Sequence, residues 1–291
     1  MASTMGMRRP LGYQHGPGAV VGSVIRWVVL VVCAALFLVP FYLIVRGALS
    51  TELGISSPAW HFFPSSLQWS NFSVLFHDPS VPMAHSLVVS LEIGVLQTVG
   101  QLLLAAMAGY GLARIPIKHS NIVFYLILGS LMIPGAVTFV PSFVLVSSLG
   151  WVSTLQGLIV PGLFNSFSAF IFRQHFLSFP RELEDAGRVD GLRYWGIFWR
   201  IVIPNSLSFV AAIGVIDFIA SWNSFLWPLV IGQGASSWTV QVAMSNFLTA
   251  QDINIPELSM AAAIAIVPIV AVFVFLQRYL VQGVAQSGIK G

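Results

Sequence analysis

Residues 180–204 read PRELEDAGRVDGLRYWGIFWRIVIP, and no other stretch of the chain is so strongly charged. It holds four acids (Glu182, Glu184, Asp185, Asp190) and four arginines (Arg181, Arg188, Arg193, Arg200), with long apolar runs on either side. Pro180 suits the first position of a helix, where a missing N–H costs nothing. Glu182, Glu184 and Asp185 fall in the first turns, where the helix dipole favours negative charge. Leu183, Ala186, Gly187 and Asp190 share one face at helical spacing, and Gly191 suits a left-handed cap that ends the helix. A second stripe (Tyr194, Ile197, Phe198, Ile201) runs to Pro204, which forces a break or kink. A helix–glycine–helix elbow, wet on one side, is expected between two membrane spans.

Composition supports that setting. Hydrophobic residues make up 57% of the 291 and charged ones 8%, against about 25% charge in an ordinary soluble domain. The chain is therefore expected to be all-α, a single polytopic helical bundle in a membrane. One cysteine, Cys33, excludes a disulfide within the chain and any multi-cysteine metal site. The basic residues gather at the edges of apolar runs, which points to membrane topology and not to nucleic acid.

Six runs approach the ~20 apolar residues that a bilayer requires: Val24–Val45, Ser86–Leu112, Ile122–Val144, Leu155–Phe172, Leu207–Ile231 and Met260–Leu280. The first is longer than a signal-peptide core and lacks a small-residue cleavage site, so it reads as a retained span. Residues 1–23 are expected to be a mobile cytoplasmic tail, 24–280 the transmembrane domain with the elbow at 180–204, and 281–291 a cytoplasmic tail. Arg8, Arg9, Arg26, Arg114, Lys118, the five arginines from Arg173 to Arg200, Arg278 and Lys290 all fall on one side of such a topology, and Arg46 alone on the other. The positive-inside rule then puts both termini and the elbow in the cytoplasm. Residues 46–85 form an outer loop rich in aromatics, read as an interfacial belt. The outer loop from Gly232 to Ser259 lacks Lys and Arg and carries Asp252 and Glu257.

The elbow has a further property. Asp185-Ala186-Gly187, three residues, Gly191, nine residues, then Ile201-Val202-Ile203-Pro204 resembles the EAA motif, E-A-A-x3-G-x9-I-x-L-P, of importer-type ABC permeases. Asp185 replaces Glu, Gly187 replaces Ala and Ile203 replaces Leu. Glycine inside a helix costs about 1 kcal/mol relative to alanine. The resemblance implies that Glu184, Asp185, Ala186, Gly187, Asp190 and Gly191 couple the chain to an ATPase.

Within the spans, Glu92 and Asp217 are the two acids at membrane depth, and intramembrane ionisable groups are commonly functional. Each could line a pathway or pair structurally. Gln97 and Gln101, four apart in span two, read as hydrogen-bonding glue between helices, and Ala105 with Gly109 as a small-residue contact that lets another helix approach. Span five carries Ser221-Trp222-Asn223-Ser224-Phe225-Leu226-Trp227-Pro228, where Pro228 is expected to free a carbonyl near Ser224. Trp222, Asn223 and Ser224 combine flat faces with polar groups, as a sugar ring requires; a proline kink among interfacial tryptophans is the plainer reading. This stretch resembles the W-N-x-F-L-W-P-L signature of carbohydrate permeases of the maltose-permease type. Met132-Ile133-Pro134 through Pro141, Phe172-Arg173-Gln174 through Pro180, and Gln277-Arg278-Tyr279 through Lys290-Gly291 fit it as well.

That resemblance implies a non-enzymatic subunit of a bacterial plasma membrane importer. Its partners would be a second homologous permease, two ATP-binding subunits, an extracytoplasmic solute-binding protein docking on the 232–259 loop, membrane lipid and a sugar-like substrate. The chain has no G-x4-G-K-[ST] phosphate loop, no paired histidines of metal-ligand spacing and no G-x-S-x-G nucleophile. No cofactor, metal or catalytic residue is expected. An ion-coupled secondary transporter using Glu92 or Asp217 is the alternative; it would need no ATPase, and the elbow and the lack of an evident inverted repeat oppose it.

Overall fold

The computed structural model describes residues 17–59, 61–248 and 254–287. Every regular element among the described residues is a helix, because backbone groups in hydrocarbon must be satisfied within their own segment. The first span is α1 (Pro17–Ala48), which begins ahead of the expected Val24. Two short helices, α2 (Glu52–Ser56) and α3 (Ser70–His77), punctuate the first outer loop before α4 (Met83–Arg114) returns through the membrane. Span three is α5 (Ser120–Leu131) plus α6 (Gly135–Ser148). Span four is α7 (Leu155–Ile159), a 3-10 turn at Val160–Gly162, and α8 (Ser166–Ser178). The elbow comprises α9 (Arg181–Val189), α10 (Tyr194–Ile197), a π-helical turn at Phe198–Val202 and α11 (Ile203–Asn205). Span five is α12 (Leu207–Trp222) with α13 (Leu226–Ile231); α14 (Val240–Ser245) lies in the following outer loop, and α15 (Ile255–Ser287) is the last span. Among the described residues three helices are long and apolar enough to cross a membrane unaided, or up to six if each bent pair, the third being Tyr194–Asn205 with α12, is one span.

Spans three, four and five were each expected as one apolar run, span five with a kink at Pro228, and the structure interrupts the helix in all three. The axes of α5 and α6 differ by 100°, since Pro134 lacks an N–H and disfavours helix at the residue before it. Span four bends by 42° between its halves. There Asn165 starts a new helix, its Oδ1 accepting from the N–H groups of Phe167 and Ser168, as an N-cap does. Span five is interrupted at residues 223–225. Pro228 therefore lies in the first turn of α13, where no helical bond is lost. The π turn of the elbow immediately precedes Pro204, which cannot donate to the Arg200 carbonyl one turn back.

Helix α4 is the centre of the bundle, flanked by α8 and α12. Its crossing with α8 uses the small pair foreseen from sequence: Ala105 is buried, and a Cβ on Gly109 would stand 2.8 Å from the Arg173 backbone nitrogen. One buried cluster at this crossing joins Ala105, Tyr110, Phe172 and Phe176 to Ile197, Phe198 and Val202 of the elbow. The elbow's second half is thus seated in the bundle. Helix α1 is the opposite case. From Trp27 to Val39 its residues are exposed and apolar, fit for lipid or another chain, and it meets α15 near its outer end, where Gly47 leaves room for Ser259. Residues 17–23, expected in a mobile tail, are helical, and α15 runs past 280. Residues 1–16, Trp60, Asp252 and the last four residues of the QSGIKG tail lie outside the described residues.

Candidate functional site

Two groups of polar residues bear on the sequence-named sites: the elbow at one end and an open cavity at mid-bundle depth. Helix α9 ends as its sequence foretold. Gly191 has φ +81°, a conformation that glycine adopts without a Cβ penalty. The Gly191 N–H bonds to the Arg188 carbonyl (3.0 Å) and the Leu192 N–H to the Gly187 carbonyl (2.9 Å), the paired bonds of a Schellman cap. The Leu192 side chain folds back to within 3.6 Å of where a Gly187 Cβ would be, the apolar contact that accompanies such caps. Ile201 lies nearer still, at 2.5 Å from that position. Glycine in place of the motif's alanine lets the two arms of the elbow pack this closely.

The six elbow residues named from sequence divide by face. Asp185, Ala186, Asp190 and Gly191 are exposed, beside Val189, which is 89% exposed. Val189 was not among the residues named from sequence; it is a lone β-branched apolar residue in the last turn of a charged helix. Glu184 and Gly187 point inward. Glu184 is 2% exposed, with Oε1 3.1 Å from Arg114 Nε and Oε2 3.8 Å from Arg188 Nη2. The single hydrogen on Arg114 Nε is directed at the Phe176 carbonyl (2.8 Å), so Glu184 Oε1 has charge attraction there but no hydrogen bond. Arg114 also donates through Nη2 to the Phe179 carbonyl. Burial pushes the Glu184 carboxyl above its usual range, and Arg114 and then Arg188 oppose that rise.

The cavity has a volume of about 260 Å3 and is lined by Gln97, Gly135, Thr138, Phe139, Ser142, Pro161, Gly162, Ser224 and Trp227. Gln97 lies near the middle of α4, hence near the middle of the membrane. Each of the three helix interruptions reaches this space: Gly135 opens α6, Pro161 and Gly162 end the 3-10 turn, and Ser224 lies between α12 and α13. Irregular backbone at membrane depth is tolerated where protein buries it or where it lines a watery cavity, and discontinuous helices are a recurrent way to build a midplane site. Side chains from α4 satisfy part of the freed backbone. Gln101 Nε2 donates to the Gly162 carbonyl (2.6 Å) and Gln97 Nε2, more weakly, to that of Ile159 (3.4 Å). Ser221 donates to Gln97 Oε1 (2.6 Å) and so fixes which end of the amide faces where. Any Cβ on Gly162 would collide with that amide. Trp227 donates its Nε1–H to the Gly157 carbonyl (3.0 Å) and stands edge-on to Phe139.

Of the residues named for a pathway, only Ser224 lines this cavity. Trp222 is 2% exposed and faces the other way, stacked on Phe218 with its indole N–H on the Ala265 carbonyl. Asn223 is exposed and accepts from Gln241. Asp217 is 1% exposed and accepts from Ser168 (2.9 Å) and Asn165 (3.2 Å), tying span five to the start of α8. Glu92 is exposed and has no ion pair or hydrogen bond among the described residues. Thr138, Ser142 and the lining role of Gln97 were missed. Thr138 and Ser142 are four apart in an apolar helix, the spacing that had drawn attention to Gln97 and Gln101.

Residues 101–286 match the family described as binding-protein-dependent transport system inner membrane component. The chain belongs to that family. It is 36% identical over 245 residues to the arabinooligosaccharides transport system permease protein AraQ of Halalkalibacterium halodurans, covering 83% of this chain and 86% of that one. The lactose transport system permease protein LacG of Rhizobium radiobacter is 32% identical, over 91% of this chain and 96% of its own length. The sn-glycerol-3-phosphate transport system permease protein UgpE of Yersinia enterocolitica is 29% identical, over 89% and 95%. In fold, the chain superposes on a chain of a crystal structure of a bacterial ABC transporter involved in the import of the acidic polysaccharide alginate. The TM-score is 0.78 at 20% identity, over 91% of this chain and 99% of that one. This permease is therefore a multi-pass inner-membrane subunit of an ABC importer, not an enzyme, and works with ATP-binding subunits and a solute-binding protein. Membership sets the ion-coupled alternative aside.

Proposed function

We propose that the permease forms, with a second homologous permease chain, the membrane pathway for an uncharged sugar or polyol delivered by its solute-binding protein. The observation that carries this reading is the cavity on which three helix interruptions converge, because its lining is polar yet contains no charged side chain. Hydroxyls of Thr138, Ser142 and Ser224 and the amide of Gln97 match sugar hydroxyls, and Phe139 and Trp227 supply apolar walls. Its volume, about 260 Å3, lies just below the roughly 300–1,000 Å3 usual for small-molecule sites. A phosphate or carboxylate would find no arginine or lysine there to meet it. The named relatives divide on this point, two of them named for neutral sugars and one for a polyol phosphate, and the lining favours the first kind.

The exposed face of the elbow, Asp185, Ala186, Val189 and Asp190 around the Gly191 cap, docks into the ATP-binding subunits, while the 232–259 loop receives the binding protein. Movement of the elbow rocks the spans, opening the cavity to one side of the membrane and then to the other. The test is to isolate the complex through this chain and identify the ligand retained by its binding protein by mass spectrometry. A neutral sugar or polyol is expected. A sugar phosphate or uronate would overturn the assignment of substrate class.

A further inference from the structure

Outside the cavity, a set of buried polar contacts lies where the elbow meets the bundle, and it centres on Arg114. This is the last residue of α4, the helix that also carries Gln97 at the cavity. Its side chain is 5% exposed. Nε and Nη2 donate to the Phe176 and Phe179 carbonyls at the end of α8, where a helix accumulates negative dipole charge. The same guanidinium faces Glu184 of α9 at 3.1 Å. One side chain thus ties together spans two and four and the elbow. Arg188 extends the contact outward, from Glu184 to the exposed Asp185 at 2.7 Å, so a chain of charges runs from the elbow surface to the cytoplasmic end of α4.

We propose that Arg114 and Glu184 are positioning residues that form the joint transmitting elbow displacement to α4 and α8, and through α4 to the cavity. Such a joint must stay attached while it moves. Two buried opposite charges resist separation because each alone would be stranded without water. The carbonyl clamp supplies the direction of pull, since a guanidinium holds several acceptors in one plane and an ammonium does not. Glu184 consequently serves inside the protein, distinct from the exposed residues that meet the ATPase. The proposal rests on the elbow being the ATPase contact.

The test uses the full complex in membrane vesicles, with Cys33→Ser and a reporter Ser142→Cys at the cavity, labelled by a membrane-impermeant maleimide from the outer side. In the otherwise native complex, trapping the ATPases with ATP and vanadate should raise the labelling rate. Glu184→Gln and, separately, Arg114→Lys should lose that rise by roughly tenfold or more, the scale of ordinary coupling energies, while the ATP-binding subunits still co-purify in native ratio. A role in folding alone would lower yield and leave labelling per assembled complex unchanged; that outcome, or an undiminished rise, overturns the joint. Should Arg114→Lys fail to assemble, Arg114→Gln combined with Glu184→Gln removes both buried charges and must show the same loss. Asp185→Lys with Val189→Asp tests the underlying reading separately: ATP-binding subunits retained at native levels would overturn the elbow as their contact, whatever Glu184→Gln does.

Discussion

Glu184 and Asp217 are buried to nearly the same degree, at 2% and 1% exposure, and they are held by opposite means. Asp217 is surrounded by neutral donors, Ser168 and Asn165, that give it hydrogen bonds at close range. Glu184 has arginines and, at Oε1, no hydrogen bond. Hydrogen bonds fix a geometry and fail when it is disturbed. Charge attraction falls off more slowly with distance and persists through a shift of an ångström. The first arrangement suits a static seam between spans, the second a part that is displaced while remaining attached.

Removing a partner should expose this difference most strongly. Arg114→Met strands a buried carboxylate and takes a charged donor from the Phe176 and Phe179 carbonyls, so about 3–5 kcal/mol of stability is expected to be lost. Asp217→Leu leaves only neutral groups unsatisfied, at roughly 1–3 kcal/mol, and Asp217→Asn, which keeps a hydrogen-bond acceptor, should cost less than that. Thermal unfolding of the detergent-solubilised complex, followed by tryptophan fluorescence, ranks them. An Asp217→Leu loss equal to that of Arg114→Met would erase the distinction. The exposed Asp185–Arg188 pair is a useful control: at 2.7 Å it is the shortest ion pair among the described residues, yet solvent screening limits such pairs to about 1 kcal/mol or less.

Two glycines sharpen the same contrast between seam and joint. At Gly109 a new Cβ would meet backbone atoms of Phe172 and Arg173 within 3 Å, so Gly109→Ala must push α4 and α8 apart, with about 1–3 kcal/mol of overpacking strain expected. At Gly187 it would meet the far end of the Ile201 side chain, which can rotate aside. Alanine there gains about 1 kcal/mol of helix propensity, so Gly187→Ala should be close to neutral, and Gly187→Ala with Ile201→Val stabilising. The midpoint of thermal unfolding decides both, and a larger loss at Gly187 than at Gly109 would show that the elbow packs more rigidly than the seam.

What sequence could reveal followed from where its physics is local. The elbow was legible because its charges, its Gly191 and its Pro204 act within a few residues of themselves. The Ala105–Gly109 contact was legible because small residues at helical spacing have few other uses in a membrane. The breaks in spans three and four were not, since hydropathy sums straight through Met132-Ile133-Pro134 and Val160-Pro161-Gly162 and records no change of direction. Trp222 was assigned to the pathway because an indole beside polar residues suits a sugar as well as it suits a core. Only tertiary packing, with Ala265 on α15 accepting its N–H, shows which side it faces. Glu184 was grouped with its neighbours for the same reason: a carboxylate in a charged helix reads as exposed until Arg114, 70 residues earlier by the numbering, is brought against it.

Acid offers the gentlest probe of the comparison. The Glu184 carboxyl is raised, first by burial, so the folded protein holds this proton more tightly than the unfolded chain does. Stability then rises as pH falls from the raised folded value toward the ordinary carboxylate range, and is flat above it. This is the reverse of a carboxylate whose ion pair dominates, which would lose stability over the same descent. Many other acids titrate there, so the informative quantity is the difference in unfolding midpoint between the native protein and Glu184→Gln, followed downward from neutral pH. It should shift in favour of the native protein, by an amount smaller than either substitution effect above because the two arginines offset much of the burial. A shift in favour of Glu184→Gln would mean that Arg114 and Arg188 outweigh burial, and the joint would then hold by attraction strong enough to make acid its release.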